Sequence, residues 1–453
     1  MTSHVAGSVP EGKASGPETW RQKPGTPSLL RELNDRAALD LLLTEGPLTR
    51  AQLSERTGVS KVTVSQMLAR LEDRGLVMIV GEQAGGRGPN AALYSVVPSS
   101  AYVAGLYVES DLVSAAVADV TGRCVAEISV DPNGGDDPVG MVRDAVGQAC
   151  ESAGIDFSAL SAVVIGSPGV LDPRTGAPRI AVNLPTWQEG VLDALREVLH
   201  TPVVIENDVN LAAMAERASG AAAGIDDFAF VWLGIGLGLA TVINGQVRRG
   251  VGGAAGEIGW MPVHGAPLPA GNEHPSKTGL QTLAGGFAVQ ALAAKYGFEG
   301  ATAADSVAAA LADLAQAQGD VAPGAATPHL RQLSPGDAAP GTPQLSSGGA
   351  TPRTPRGAGA AFIDELAHRV SIGVAAVCCV LDPGLVVLGG TVGKAGGAVL
   401  AARVADEVPR LCLARPTVIP TSLRGEPVLH GAMQAALAQA RAGLLGSLGT
   451  VSD

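Results

Sequence analysis

Apolar and polar positions along the first hundred residues alternate with a helical period. Leucines and alanines recur at this spacing from Leu29 until the break at Gly46. Thr49 is followed three residues later by Gln52, the arrangement of a capping box, and the short helix that it predicts ends at Gly58. The pattern therefore predicts two helices joined by a tight connection.

A third helix and a hairpin follow in the same pattern. Ser60 can cap a helix in which Val64, Leu68 and Leu71 share one face, and Gly75 ends it. Residues 76–80 and 92–97 have the composition of strands, with a Gly-rich hairpin tip at 82–90. Three helices followed by a two-stranded wing are typical of a winged helix-turn-helix, which we place at residues 28–98.

The arc of the third helix opposite its apolar face carries side chains that can read DNA. Glutamine pairs with adenine, lysine with guanine or phosphate, and methyl groups with thymine. An arginine between glycines in the wing could enter a minor groove. The predicted DNA-binding residues are Ser60, Lys61, Val62, Thr63, Gln66, Arg70 and Arg87. The alternative is a helical dimerisation module with a solvated face.

Beyond residue 98 short apolar runs alternate with helical patterns, which predicts an α/β domain with mixed sheets over residues 99–453. Predicted strands lie at 102–108, 113–119, 124–130, 162–165, 203–205, 228–233, 239–243 and 385–388. Residues 1–27 and about 319–359 are rich in Pro, Gly, Ser and Thr without apolar periodicity. We predict a disordered tail and a low-complexity insertion at these positions.

Composition and charge narrow the class of protein. The 453 residues include five cysteines without the spacing of a disulfide framework or a zinc knuckle, and no apolar run long enough to cross a bilayer. We therefore expect a cytoplasmic protein with no membrane partner. Residues 1–98 hold eleven basic and ten acidic side chains, whereas residues 99–453 hold 20 and 33. Contact with DNA must then come from the N-terminal part, and its low net charge favours a dimer.

Several glycine-rich and polar motifs follow one another in the α/β part. They are Ile165-Gly-Ser-Pro-Gly169, Asn183-Leu-Pro-Thr-Trp187, Glu206-Asn-Asp-Val-Asn210, Leu233-Gly-Ile-Gly-Leu-Gly238, Gly256-Glu-Ile-Gly-Trp260 and Val387-Leu-Gly-Gly390. Taken in this order they resemble the ROK family of repressors, open reading frames and sugar kinases, in the regulator branch that contains xylose and N-acetylglucosamine repressors. The resemblance implies an actin-like kinase fold of two α/β lobes with a ligand cleft between them.

The resemblance also implies a sugar site. Asp208 matches the family's general base, and Asn183, Asn207 and Glu257 match residues that bind sugar hydroxyls. Trp260 stands where the family has a zinc-binding histidine, and Gln281 where it has a glutamate that contacts sugar. We expect both side chains to line the site, with Trp260 stacking on a pyranose or filling core. The cysteines of the family's zinc site are missing, so we expect no metal.

The phosphate loops depart from the kinase pattern. The first loop of the kinases, Asp-x-Gly-Gly-Thr, corresponds here to residues 107–111, where Glu109 and Asp111 would repel a nucleotide. Ile235 replaces a hydroxyl residue in the second loop. The sequence thus predicts a regulator that has lost ATP binding and kept the sugar cleft, with no cofactor and no catalytic residue.

We therefore expect a DNA-binding transcriptional repressor of carbohydrate-related genes. Its partners would be a double-stranded operator, a sugar or sugar-derivative effector, and further copies of itself in a homodimer or homotetramer. Two alternatives stay open at this stage. One is an ATP-dependent sugar kinase with a fused N-terminal domain, and the other is a regulator that binds DNA without responding to a ligand.

Overall fold

The computed structural model describes residues 27–84, 90–109, 112–131, 137–181, 190–269, 277–319 and 357–448. The predicted tail up to residue 26 and the insertion between residues 320 and 356 lie outside these ranges. The chain divides into two compact units, Met1–Ser100 with Ala442–Asp453, and Ala101–Arg441.

The first unit is a winged helix-turn-helix, as the pattern predicts. Its elements are α1 (Pro27–Glu45), β1 (Leu48–Thr49), α2 (Arg50–Thr57), α3 (Lys61–Asp73), β2 (Val77–Gln83) and β3 (Ala91–Val96). The three strands form an antiparallel sheet in the order β1-β3-β2. Both predicted capping signals are confirmed, because Thr49 and Gln52 form a reciprocal capping box on α2 and Ser60 caps α3. Both connections are therefore fixed by short-range hydrogen bonds.

The first sheet of the second unit has the strand order β10-β7-β4-β5-β6, with β10, β7 and β4 parallel. This lobe comprises β4 (Tyr102–Val108), β5 (Val113–Asp119), β6 (Cys124–Val130), α4 (Pro138–Ala153), β7 (Leu160–Ser167), β8 (Gly169–Leu171), β9 (Pro178–Ala181), α5 (Val191–Leu199), β10 (Val203–Asn207) and α6 (Asp208–Ser219). Alternate residues of β4 face opposite sides of the sheet, so that Leu106 packs towards α4 and α5 while Tyr107 packs towards α6.

The second sheet has the order β13-β12-β11-β14-β15 and completes the two-lobed kinase-like architecture. Its lobe comprises β11 (Phe228–Leu233), β12 (Leu237–Ile243), β13 (Gln246–Val247), α7 (Gln281–Ala284), α8 (Gly286–Lys295), α9 (Ala303–Gly319), α10 (Ala358–Leu381), β14 (Leu385–Gly389), α11 (Gly390–Leu411), β15 (Thr417–Pro420) and α12 (Pro427–Ser447). Helices α7, α8 and α9 were not predicted from the sequence. Their Ala-rich segments offer little contrast between apolar and polar faces.

A shared core lies between the two sheets. It collects buried side chains from β4 and β11 together with the inward faces of α6 and α12. Two further cores cover the outer faces, one under α4 and α5 and one under α8 to α11. The two lobes of the second unit are therefore built on the same pair of central helices, α6 and α12.

Candidate functional site

The exposed face of α3 gathers most of the predicted DNA-reading residues. Val64, Met67, Leu68 and Leu71 are buried against the rest of the unit. On the opposite side Lys61 and Gln66 are exposed, and Val62 is 68% exposed. Thr63 is half-buried, and its backbone N–H donates to Ser60 Oγ over 3.2 Å. The arrangement leaves a lysine, a valine and a glutamine free to meet base edges at the start of a capped helix.

Arg70 has a different environment from the other predicted DNA contacts. Its Nε and Nη2 donate to the two carboxylate oxygens of Asp35 in α1, over 2.8 and 2.6 Å. Asp35 is only 8% exposed, and its hydrogen bond raises the pKa of the Arg70 guanidinium. This bidentate ion pair braces α3 against α1. Arg70 therefore lies apart from the exposed reading face, and its contact with DNA stays a prediction.

The wing strands pair in the predicted hairpin, with Val77 opposite Val96. The tip with Arg87 lies outside the described residues. The first unit also exposes a basic side chain that was not predicted from the sequence, Arg50 at the first position of α2. Its Nε donates to the hydroxyl of the buried Tyr94 over 2.9 Å. A basic side chain at a helix N-terminus, supported by a phenol 44 residues away, has no signal in local sequence.

The second candidate site lies where β10 ends and α6 begins. Asn207 caps α6, because its Oδ1 accepts from Asn210 N over 3.1 Å and its Nδ2 donates to Gly169 O over 3.0 Å. Asp208 is therefore the first residue of the helix. The motif ends a parallel strand at the carboxyl edge of the sheet, where α/β proteins bind ligands.

Asp208 is a buried acid with few partners. It is 9% exposed, and its Oδ1 accepts from Val209 N over 2.8 Å. Burial raises the pKa of Asp208 to about 7, and the negative charges of Glu257 and Glu109 add to this effect. Burial also raises the pKa of Glu257. The charges of Glu257 and Glu109 thus act on Asp208, and a sugar site at Asp208 and Glu257 stays a prediction.

Glu206 has a structural role beside this acid. Its Oε1 accepts from Asn207 N and Asn210 Nδ2, over 3.0 and 2.9 Å. Its Oε2 accepts from Arg249, whose Nε and Nη2 both lie 2.6 Å away. Arg249 follows β13 in the other lobe, so this bidentate pair ties the two lobes together next to Asp208. The pair between Glu206 and Arg249 was not predicted from the sequence.

Gln281 supports the second Gly-rich loop. It is 8% exposed, its Oε1 accepts from Leu237 N over 2.9 Å, and its Nε2 donates to Ile235 O over 2.7 Å. Both ends of the amide are therefore engaged with the β11–β12 turn, which leaves Ile235 itself 68% exposed. The predicted contact between Gln281 and sugar stays a prediction, but the structure gives this side chain a holding role in the loop.

The remaining predicted residues divide between described and undescribed parts. Trp260 is half-buried at the end of a short 3-10 helix, Ile258–Trp260, which begins directly after Glu257. Asn183 and Asp111 lie outside the described residues. Glu109 follows β4 in a tight hairpin, where its N–H donates to Leu112 O over 2.9 Å and its Oε1 accepts from the Tyr107 hydroxyl over 3.0 Å. A carboxylate thus stands in the loop that the kinase pattern fills with glycine.

The described ranges contain neither a candidate metal centre nor a candidate membrane span. Within them no group of three or more His, Cys, Asp or Glu side chains is placed to hold a metal ion. No described helix combines the length and the apolar character needed to cross a membrane.

Two family models match the chain. Residues 104–321 match the ROK family, and residues 33–88 match the MarR family. The xylose repressor of Bacillus subtilis (strain 168) is 26% identical over 252 residues, which cover 54% of this chain and 65% of the relative. A glucokinase of Halalkalibacterium halodurans is 35% identical over 157 residues, covering 34% of this chain and 46% of the relative. The chain spans less than two thirds of either relative.

Solved structures agree in fold. A ROK family transcriptional regulator, described as a homologue of the E. coli MLC protein, aligns with a TM-score of 0.65 at 16% identity, covering 93% of this chain and 99% of that one. A ROK hexokinase from Thermus thermophilus aligns with a TM-score of 0.53 at 24% identity over 73% and 96% of the two chains. At these identities the likeness shows the fold. The first unit therefore matches the MarR family model and part of the second unit matches the ROK family model, and the solved structures show that the second unit has their kinase-like fold.

Proposed function

We propose that this protein is a sugar-responsive DNA-binding repressor of carbohydrate-related genes that has no kinase activity. The observation that carries the proposal is the union, in one chain, of a capped helix with an exposed Lys61, Val62 and Gln66 face and a kinase-like domain with the buried acid Asp208. One of the relatives is named a xylose repressor, and this name combines repression with a sugar. The protein would act as a cytoplasmic homodimer or homotetramer, because two winged helices read two half-sites.

The mechanism follows from differential binding. A sugar would exchange hydrogen bonds with Asp208, at a strand end of one lobe, with Glu257, in a loop of the other lobe, and with Asn183. Its binding would close the lobes and change the spacing of the two α3 helices in the dimer. A ligand shifts this equilibrium only if it binds one arrangement more tightly than the other. Release from the operator is the expected result.

The first test uses the full-length protein and an operator recovered by selection from random duplexes. Binding is measured by fluorescence anisotropy with and without a panel of pentoses and hexoses. We expect one sugar class to weaken operator binding by the wild type, and we expect Asp208→Ala to bind the operator normally but ignore that sugar. If the sugar releases the variant at the same concentration, the site does not reside at Asp208.

A second test addresses the enzyme alternative, which the glucokinase relative and the acid at the position of a general base favour. ATP turnover is measured with the same sugar panel. Glu109 brings a negative charge to the first phosphate loop and the exposed Ile235 offers no hydroxyl in the second, so we expect no turnover. Phosphorylation that disappears in Asp208→Asn would establish a kinase instead.

A further inference from the structure

Acidic side chains from three separate elements converge at one edge of the first sheet. In the strand register Tyr107, Gly166 and Glu206 lie side by side across β4, β7 and β10. Glu109 and Asp208 each come two residues after this row, at the ends of their strands. The parallel strands thus bring both carboxyl groups to the same edge.

A third acid reaches the same edge from α12. Gly166 has no side chain, and a Cβ atom there would lie 2.5 Å from Val428 Cγ1, so the first turn of α12 packs directly on β7. Glu426 immediately precedes this helix and is half-buried. Burial raises the pKa of Glu426, and the charge of Glu109 contributes in the same direction. The packing of α12 on β7 thus brings Glu426 to the end of the strands at which Glu109 and Asp208 lie.

Glu257 completes the set from the second lobe. Its neighbour Gly256 has a φ of 98°, and Gly256 O accepts from Leu239 N over 2.8 Å, which fixes this loop on β12. Because β12 packs on α6, Glu257 lies beside the start of α6. We call Glu109, Asp208, Glu257 and Glu426 the acidic cluster.

Compensating cations are scarce around Asp208, Glu257 and Glu426 in the part of the chain that the structure describes. In the described ranges no ion pair joins Asp208, Glu257 or Glu426 to a basic side chain, and the nearby Arg249 is already bonded to Glu206. Lys394 lowers the pKa of Glu426, but it is exposed on α11 and reduces only part of the charge. Asp208 is nine-tenths buried, and among the described residues it accepts from the backbone N–H of Val209 and from no side chain. A buried carboxylate in this state is stabilised by a ligand that brings a donor or a positive charge.

We infer that the acidic cluster selects the effector by charge: it accepts an uncharged sugar, binds an amino sugar with a protonated amine more tightly, and rejects a phosphorylated sugar. The inference rests on the proposed sugar-sensing function and narrows its ligand class. An ammonium group near Asp208 and Glu257 gains Coulomb energy in a poorly solvated site, whereas a phosphate would add like charge to the same space. Neutral hydroxyls gain hydrogen bonds only.

Calorimetric titration of the full-length protein at pH 7 tests this selection. The probes are glucose, mannose and galactose, each as the free sugar, the 2-amino sugar, the N-acetylated amino sugar and the 6-phosphate. For the epimer that binds, we expect the amino sugar to bind at least about threefold more tightly than its uncharged N-acetyl form, and the 6-phosphate at least about tenfold more weakly than the free sugar. Both ratios should shrink when NaCl is raised from about 50 to about 500 mM.

Two variants separate charge recognition from a general loss of structure. Glu257→Gln keeps the size of the side chain and removes one charge, so the ratio of amino sugar to N-acetyl sugar affinity should fall towards one. Glu197→Gln removes an exposed charge on α5 and serves as the matched control, with an unchanged ratio. The ratio is informative because a merely structural defect would weaken both ligands together.

Each outcome has a distinct meaning. If free sugars bind and the 6-phosphates bind as tightly, the inference about charge is wrong while sugar sensing stands. An amino preference that persists in Glu257→Gln at full strength would also overturn the inference. If no probe of any charge binds, the proposed sugar-sensing function fails, and the charge selection fails with it.

Discussion

The two units handle buried acids in opposite ways. In the winged helix Asp35 is nearly inaccessible and is matched by both nitrogens of one Arg70 fork. In the second unit Asp208 is equally buried, but the charges that act on it are those of other carboxyl groups, Glu257 and Glu109, and they raise its pKa. A matched pair fixes one geometry, whereas an unmatched acid raises the free energy of the empty site. The comparison suggests that the first unit is held in a single shape and the second is poised to gain from a ligand.

The largest expected effect concerns the unmatched acid. The folded pKa of Asp208, about 7, lies above its ordinary value of 3.8, so the folded protein holds this proton more tightly than the unfolded chain. The contribution of the protonated Asp208 to the free energy of unfolding is complete below about pH 4, and it is lost as the pH rises from about 4 to about 7. The rise in pKa corresponds to about 4 kcal/mol.

The Asp208→Asn variant removes this titration. We expect its free energy of unfolding to exceed that of the wild type by several kcal/mol at pH 8 and to approach it near pH 4, as measured by denaturant titration at a series of pH values. Glu197→Gln should follow the wild-type curve. Parallel curves for Asp208→Asn and wild type across this range would show that the acid is not strained.

The next effect tests the buried amide that supports the Gly-rich turn. Gln281→Leu preserves volume but leaves Leu237 N and Ile235 O without their partner, which should cost about 3 kcal/mol. Gln281→Glu keeps one acceptor and should cost less at low pH, where the new carboxyl group can also donate. Hydrogen exchange of the Leu237 amide, read by mass spectrometry, reports the change. Unaltered protection in Gln281→Leu would contradict the holding role.

A smaller effect is expected at the matched pair. Arg70→Ala leaves Asp35 buried and unpaired and should destabilise the first unit by about 2 kcal/mol, whereas Asp35→Ala leaves a half-exposed arginine that water can solvate. The double variant should recover part of the loss. Hydrogen exchange in α1 and α3 distinguishes these cases. Equal losses for the two single variants would mean that Arg70 is not simply the partner of Asp35.

The smallest effects concern the reading face. Lys61→Ala should weaken binding to all duplexes by similar factors and reduce the dependence of affinity on salt by about one ion, if the side chain contacts phosphate. Gln66→Ala should instead lose preference at one base position, worth about 1–3 kcal/mol. Selection from random duplexes with each variant compares the two. A change in base preference for Lys61→Ala would reverse the assignment.

Local signals in the sequence were enough to predict the caps of α2 and α3 and most of the longer strands, but not the short strands β1, β8, β9 and β13. Thr49 and Ser60 act within three residues, and the strands of the first sheet have a continuous apolar pattern. The bond between Gln281 and the Gly-rich turn joins residues 44 and 46 positions apart, and the Arg70–Asp35 pair joins residues 35 positions apart. No local pattern encodes such partners. Residue types therefore predicted where polar groups are needed, while only the fold showed which of them are already engaged.

In the capped turn after β10, the residues that hold the structure differ from the residue that we propose to bind the ligand. Glu206, Asn207 and Asn210 hold the turn through their own mutual bonds, whereas the Asp208 side chain accepts only from the adjacent Val209 N–H among the described residues. Under the proposed function, replacing Asp208 with asparagine would remove the response to the ligand and raise the free energy of unfolding. A related regulator that does not respond to a ligand can therefore retain the Glu-Asn-x-x-Asn pattern and differ only at the position of Asp208.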